Sequence, residues 1–488
     1  MATTIEQKPL YGDANNGIMP VGQQIIFTLK NDAIVQNYYN VKFRAEVHVG
    51  ISSINLSVAD DLVATFKTTP NNQGRGIFDL GSLLENYVNA DNLGNFAGHG
   101  STYKGQGYSD LRHPIHIIDE YCRSRNSIRY FAVQFSVEGS ATATGAVTTL
   151  NNQTVNSVQY TIFNGVLQRD NYLTLDSNDY GYDLDAAKLY SAYGTGNKFL
   201  TNMPTTLTAG KNDYGTISFL NFLPSTSSAN PNKLTYIQVK YFDASGSFTG
   251  NLNYGQFWSN GGSSNLDDIY SHLLFLGIYP GNISNLNATF RAALDANNVS
   301  YYTITGYTSI SAPSGSSYGS PATDIYTVNI NCPDLKGFES IRLCWLNQWG
   351  TWDYYTFNKK STRSLNTNKS TYTQTRGTWN SSSLAQFGFM GGRKNFRVNT
   401  TESIQMNTDY IAEENSEWFE ELINSPEVYM LNGYDSTETV PTNTITNKYV
   451  EPVLLTTSSF VRKTVANDKL IQYTFEVEKN HTRKTQTV

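Results

Sequence analysis

The sequence is poor in cysteine and in charge. Cys122, Cys332 and Cys344 are its only thiols among 488 residues. They are too few for a disulfide framework, and none stands in the Cys-x-x-Cys spacing of structural zinc. Charged residues make up 16% of the chain and sum to −6, so no general basic field exists through which counterion release would drive nucleic-acid binding. Only the end, Lys479 to Lys484 with Arg483, is locally basic, and it reads as a short solvated tail. No apolar run approaches the roughly 20 residues of a membrane span; His272 to Tyr279 falls far short. The first residues show no charged n-region followed by an apolar stretch, so no signal peptide is visible and synthesis and folding in a cytoplasm are expected. Gly-x-Ser-x-Gly, Walker and His-Glu-x-x-His patterns are missing too. Gly74-Arg75-Gly76 and Gly105-Gln106-Gly107 lack the third glycine and the helix of a phosphate cradle, and read as turns. These gaps point away from an enzyme, a cofactor, a nucleic-acid partner and a membrane.

What the chain does have is aromatic side chains and turn formers. Tyr 33, Phe 24 and Gly 37 stand beside many Asn, Ser and Thr, a strand-and-loop composition, since aromatic and β-branched residues suit pleated surfaces. Aromatics at 13% supply the buried area that disordered chains lack. The length suits about three domains at roughly 150 residues each. The expected fold is mainly β: tandem antiparallel β-sandwich-like domains with a few short helices and long polar loops.

Hydrophobic patterning divides the chain. Residues 1–20, rich in Gly, Asn and Pro, read as an extended N-terminal arm ahead of a β domain over 21–140. In that domain Val41, Phe43, Ala45, Val47 and Val49 alternate with polar residues, as do Phe131, Val133, Phe135 and Val137, the period of strands with one wet face. The domain core is expected from Val41, Phe43, Val47, Phe131, Val133 and Phe135. Between these strands Leu80, Leu83, Leu84, Tyr87 and Val88 fall on one helical face, with Asp79 placed to cap it. Small polar residues from Gly139 to Gln153 mark a boundary or a long hairpin tip. A middle β region over 141–337 follows, with strands expected at 158–163, 216–220, 234–242, 301–305 and 324–330 and one helix at 267–277. The last region, 338–488, opens on an aromatic hairpin, passes through long polar loops or an extended excursion at 358–400, and ends with a helix after Ser416 and two strands.

Candidate chemistry is sparse. His99, His113, His116 and Cys122 lie near one another but match no ligand spacing. Asp176, Asn178 and Gly181 fit part of a calcium loop, while Ala187 stands where a bidentate Glu is required, so a tyrosine-flanked turn is expected. Glu413, Glu414, Glu417, Glu420 and Glu421 crowd one short helix and read as its solvated face rather than as a catalytic pair. No metal site is therefore assigned.

The remaining signal is Trp345, Trp349, Trp352, Tyr354, Tyr355 and Phe357 within thirteen residues. Alternation buries one face of a strand, so the other face is expected either to pack under a second layer from the same chain, which the 358–400 segment is placed to supply, or to meet a neighbouring subunit, a partner or a carbohydrate. These six residues are the candidate interface.

Three stretches, Thr69 to Tyr87, Ile341 to Phe357 and Asn424 to Tyr429, resemble virion proteins of tailed phages, especially marine and Bacteroidetes-infecting ones. Asn467 to Val477 fits the same group. The resemblance implies a structural part of a virion, in the tail, baseplate or head-to-tail region, present in multiple copies of a symmetric assembly among other virion proteins. The alternative it leaves is a receptor or glycan-binding module that meets a host surface glycan.

Overall fold

The alternating stretches around Val41 and Val133 form the two longest strands of the first sheet, Tyr39–Gly50 and Ile128–Ser140. They pair antiparallel with Ala45 opposite Phe135 and Val47 opposite Val133, so the apolar residues of both fall on one face. The computed structural model describes residues 2–9, 18–91, 121–124, 126–166, 199–220, 236–254, 272–307, 321, 323–331, 338–431, 450–459, 461, 470–480 and 483–484, and they make a mainly β protein with few short helices. The chain divides into two units, Met1–Asn331 with Leu346–Asp353, and Cys332–Trp345 with Tyr354–Val488.

The first unit begins with a β-sandwich. A seven-stranded sheet runs in the order Ile18–Pro20, Tyr160–Phe163, Ile128–Ser140, Tyr39–Gly50, Leu62–Thr68, with short strands at Thr148–Thr149 and Val155–Asn156 also on Ile128–Ser140. A three-stranded sheet, Thr4–Gln7, Ile26–Lys30 and Arg75–Asp79, supplies the second layer. Phe27 and Phe78 from the small sheet reach Phe135 of the large one, with ring centroids 5.3 and 6.0 Å apart. Val41, Phe43, Val47, Phe131, Val133 and Phe135 are all buried in this single core. The helical stretch after Asp79 is shorter than the spacing predicts: one α turn, Gly81–Leu84, then a 3-10 turn, Glu85–Tyr87. It still buries Leu80, Leu84 and Val88. The Asp79 carboxylate accepts from the backbone N–H of Gly81 at 3.1 Å and of Ile25 at 3.2 Å.

Two expectations are corrected here. The N-terminal residues are not a separate arm where they are described: Thr4–Gln7 pairs with Ile26–Lys30, and Ile18–Pro20 pairs in parallel with Tyr160–Phe163. Buried Met19 and a hydrogen bond from the Thr3 hydroxyl to Gln153 at 3.0 Å hold them to the sandwich. Nor does a domain end near 140. The chain turns there and comes back to Ile128–Ser140, and Tyr160 and Ile162 complete the same core.

The rest of the first unit holds a five-stranded sheet, Thr206–Gly210, Tyr326–Asn331, Tyr301–Tyr307, Tyr236–Phe242, Phe248–Tyr254, and a three-stranded one, Thr216–Leu220, Leu273–Gly277, Tyr121–Arg123. The helix expected at 267–277 is a strand over its described part, Leu273–Gly277. Five consecutive buried residues between two other strands give the continuous apolar run of a strand covered on both faces, which periodicity cannot tell from a helix. Helices follow instead at Pro280–Leu286 and Ala288–Asp295.

The second unit is built on one sheet in the order Trp352–Phe357, Ile341–Leu346, Val428–Leu431, Val450–Leu455, Thr474–Lys479, Gly392–Asn407, Thr362–Gln374. Helix Ser416–Asn424 packs Trp418, Phe419 and Leu422 beneath it. Residues 358–400 take the extended-excursion alternative, two strands with a loop at 375–391. They form the longest hairpin among the described residues.

Removing the Phe135 ring empties the centre of the sandwich, and deleting a large buried aromatic typically costs roughly 3–5 kcal/mol. Phe135→Ala in the full chain should lower the chemical-denaturation midpoint of the first unit by that order. Phe66→Ala, at a position 37% exposed on the edge strand, should move it little. Equal effects would contradict the two-layer core.

Candidate interaction site

The six aromatics of the expected interface are core residues. Trp345, Trp349, Trp352, Tyr354 and Phe357 are buried, and Tyr355 is half-buried. Trp345 lies 5.2 Å from Trp418. Tyr355 meets Phe357 at 4.9 Å and Phe419 at 5.0 Å, both edge-to-face, and its hydroxyl accepts from the Asp409 N–H at 2.9 Å. Burial pushes that phenol above its ordinary pKa. On the opposite side of the strand the Arg342 guanidinium stands 5.4 Å from the centre of the Tyr354 ring and donates to the Thr356 hydroxyl at 2.7 Å. Both faces are thus covered within the chain, and the hairpin offers no aromatic face to a partner.

The turn of this hairpin explains the burial of Trp349 and Trp352. Asn347 organises it: its side-chain oxygen accepts from the N–H of Trp349 and Thr351 at 3.0 and 3.1 Å, and its amide donates to Leu200 O at 2.9 Å. Thr201 donates to the Asp353 carboxylate at 2.7 Å, and Val166 N–H to Gln348 O at 2.7 Å. All of these groups belong to the first unit. Gly350 closes the turn at φ +69°, where an added Cβ would stand 1.6 Å from the Asn164 carbonyl oxygen.

Of the other candidates, His99, His113, His116 and the 176–187 segment lie outside the described residues. Cys122 sits in strand Tyr121–Arg123. Of the glutamates on helix Ser416–Asn424 and the turn before it, Glu417 is exposed, Glu413, Glu420 and Glu421 are half-buried, and Glu421 turns one carboxylate oxygen inward, so the solvated face is only partly formed.

A cluster of exposed aromatics lies elsewhere, on the ribbon of strands Thr362–Gln374 and Gly392–Asn407 and the loop between them. At about 3.3 Å per residue its thirteen-residue first strand extends roughly 40 Å. Only its root is tied into the sheet: Ser403–Asn407 pairs with Thr474–Lys479, and Asn399 and Thr400 with the short strand Arg483–Lys484. Nearer the tip each strand has only the other as a partner among the described residues. Both sides are wet, because most side chains toward the tip are Thr, Asn, Ser, Lys and Arg on either face, and even Leu365 and Phe396 are exposed.

The tip, residues 375–391, is an organised loop. The Thr378 N–H donates to Ala385 O at 3.1 Å, its hydroxyl donates to Ser383 O at 3.1 Å, and it accepts from the Ala385 N–H at 3.0 Å. Gly377 and Gly391, both at positive φ, make the reversals that side chains disfavour. The loop holds Trp379, Leu384, Phe387 and Phe389 outward; Trp379 is 71% and Phe389 72% exposed. Phe387 and Phe389 stack at 5.6 Å. The indole N–H of Trp379 donates to Arg376 O at 2.5 Å, so its polar edge is satisfied by its own loop and the ring presents hydrocarbon. Clustered exposed apolar groups of this kind mark interaction sites.

Charge is concentrated on the same segment. From residue 354 to 401 there are eight Lys and Arg and no Asp or Glu. Against a whole-chain charge of −6 these eight leave −14 on the remainder. At the root, Arg363 binds Glu339 through two nitrogens and Glu402 through a third at 2.6 Å. The hydrogen bond from Arg363 holds the Glu339 carboxyl below its ordinary pKa. Sequence reading missed the ribbon because both faces are polar and no two-residue alternation shows; the signal that was available is the absence of acid over 354–401.

Two outcomes test this geometry. Gly350→Ala and Gly392→Ala both place a side chain at positive φ, but nothing lies within 4 Å of a Cβ at Gly392. Gly392→Ala should cost about 1 kcal/mol from backbone conformation alone, and Gly350→Ala clearly more, by thermal unfolding; equal losses would refute the buried turn. Because the folded Glu339 pKa is depressed, its ion pair stabilises the fold above the ordinary Glu value of 4.5 and is lost as pH falls through the lower folded value. Carboxyl NMR should show Glu339 titrating below its ordinary range in the native chain and returning to it in Arg363→Ala. An unmoved titration would remove the root contact.

No protein-family model matches the chain, and no curated protein matches it at a significant level.

Proposed function

We propose that the chain is a non-enzymatic assembly protein of a tailed-phage particle, in the tail, baseplate or head-to-tail region, that holds neighbouring virion proteins with the ribbon of residues 362–407. The observation that carries this reading is the ribbon itself. A two-stranded hairpin with neither face covered is marginal in water on its own, yet this one ends in a loop built to display four large apolar side chains. Such a tip contributes binding energy once a partner removes it from water, at about 25 cal/mol per Å² of apolar surface. The resemblance of the Thr69 to Tyr87 and Ile341 to Phe357 stretches to virion proteins supplies the setting.

The test is made on particles of the virus whose genome encodes the chain. Mass spectrometry of purified particles should recover it in fixed ratio to the other structural proteins. Trp379→Ala/Phe389→Ala should leave the free chain folded and melting as before, while particles carry much less of it. Absence of the native chain from particles would overturn the proposal. A glycan array bound by the native chain and not by the double variant would favour the receptor-module reading instead.

A further inference from the structure

We infer that the surface the ribbon grips is a second copy of this chain, and that its receiving side is the acidic region around helix Ser416–Asn424. The inference rests on the assembly reading above and names its partner. Its basis is the order of charge along the second unit. The acid-free segment 354–401, with eight Lys and Arg, is followed directly by residues 402–447, which carry ten Asp and Glu and no Lys or Arg. Opposite charge is thus sorted into two blocks rather than mixed, as it is on most surfaces.

The fold gives the two blocks different shapes. The basic block is the projecting ribbon. Much of the described part of the acidic block lies around a helix whose apolar side is spent on its own core: Trp418, Phe419 and Leu422 are buried, while Glu417 faces solvent and Glu413 is half-exposed. Among the described residues of the acidic block, Glu402 is committed to Arg363 at the ribbon's root and Asp409 to Lys359 just before it, at 3.0 Å. Near the tip, Arg393 donates to the Thr371 hydroxyl at 3.0 Å, Lys394 to Phe389 O at 2.9 Å and Arg397 to Asn399 at 3.0 Å. Neutral groups hold these cations in place without cancelling their charge, so the ribbon offers a pre-set positive surface.

The same electrostatics favours this occupant over a polyanion. A nucleic acid approaching the ribbon meets the field of a body carrying −14, whereas a second copy is drawn ribbon-first toward that body. The tip agrees: with the Trp379 N–H satisfied internally, the loop presents apolar rings that fit a protein pocket. The contact joins unlike surfaces, so it closes reciprocally in a dimer or repeats around a ring.

Sedimentation of the purified full chain tests the inference. The native chain should self-associate with rising concentration at about 0.1 M salt, and dissociate toward 1 M as the screening length falls from about 10 to about 3 Å. Arg393→Glu/Lys394→Glu should abolish association, as should Glu413→Lys/Glu417→Lys, and the quadruple variant should recover it. Trp379→Ala/Phe389→Ala should weaken it about 30-fold or more in Kd. Melting curves of each variant separate lost contact from lost fold, and recovery in the quadruple variant is an outcome that misfolding does not produce. A native chain that stays monomeric at every concentration, or a quadruple variant that stays dissociated, overturns the inference. If such a chain is still recovered in particles, self-docking falls and the assembly reading stands. Binding of duplex DNA that is lost in Arg393→Glu/Lys394→Glu, without self-association, also overturns it.

Discussion

A strand that carries large aromatic rings on both faces has no side it can leave in water, and the stretch from Ile341 to Phe357 is such a case. Its arms and its turn belong to different units, and each part is buried where it lies. The turn is fixed by Asn347, Thr201 and the Gly350 reversal, which bring Trp349 and Trp352 indoors. The arms carry Trp345, Tyr354, Tyr355 and Phe357 into the sheet, where Trp418, Phe419 and Phe475 gather on one side. Helix Ser416–Asn424 takes its place from this demand, since its apolar side is the cover for those rings. Glu417 faces outward as the consequence, while Glu420 and Glu421 are half-buried at its margins.

How much of this was legible in the sequence depends on how far one face differs from the other. Where a strand has one wet and one dry side, as in Val41 to Val49, alternation announced both the strand and its core face, and the structure agrees except at His48, a polar-face residue that is buried. The signal fails at both extremes. Leu273–Gly277 is dry on both sides and so read as helix. The ribbon is wet on both sides and so left loops and an extended excursion undecided. The aromatic hairpin failed differently: alternation correctly put aromatics on two faces, but cover for the second face came from residues distant in sequence. Trp418 and Phe419 supply that cover, and no local pattern tells of them. The N-terminal residues were misread for the same reason, because Thr4–Gln7 owes its strand to pairing with Ile26–Lys30 rather than to its own composition.

The candidate site shows this limit most clearly. Reading function from aromatic density selected the six residues that the fold needs most, and passed over Trp379, Phe387 and Phe389, which it does not need. Density measures burial demand. Trp379, flanked by Gly377, Thr378, Asn380 and Ser381, has no apolar residue directly beside it and lies in the acid-free segment 354–401. Isolation, combined with one sign of charge, was the more informative pattern.

The ribbon's own chemistry also bears on how it engages a partner. Thr362–Gln374 is the last strand of its sheet order, and an open edge invites pairing with any other strand. Two features oppose that. Lys369 and Arg363 stand on this strand, and between Ser370 and Thr371 the register slips so that Phe396 is extra in the opposite strand, a bulge that increases local twist. Phe396 then lies beside Tyr372, 6.5 Å away and edge-to-face, and not in the ladder. With backbone pairing discouraged along the edge, side chains are left as the means of attachment: cations along the shaft and hydrocarbon at the tip. Cations act over about a screening length and steer the encounter, while the rings act only in contact and hold it. A projecting arm arranged in that order meets its partner by charge first and by apolar burial second.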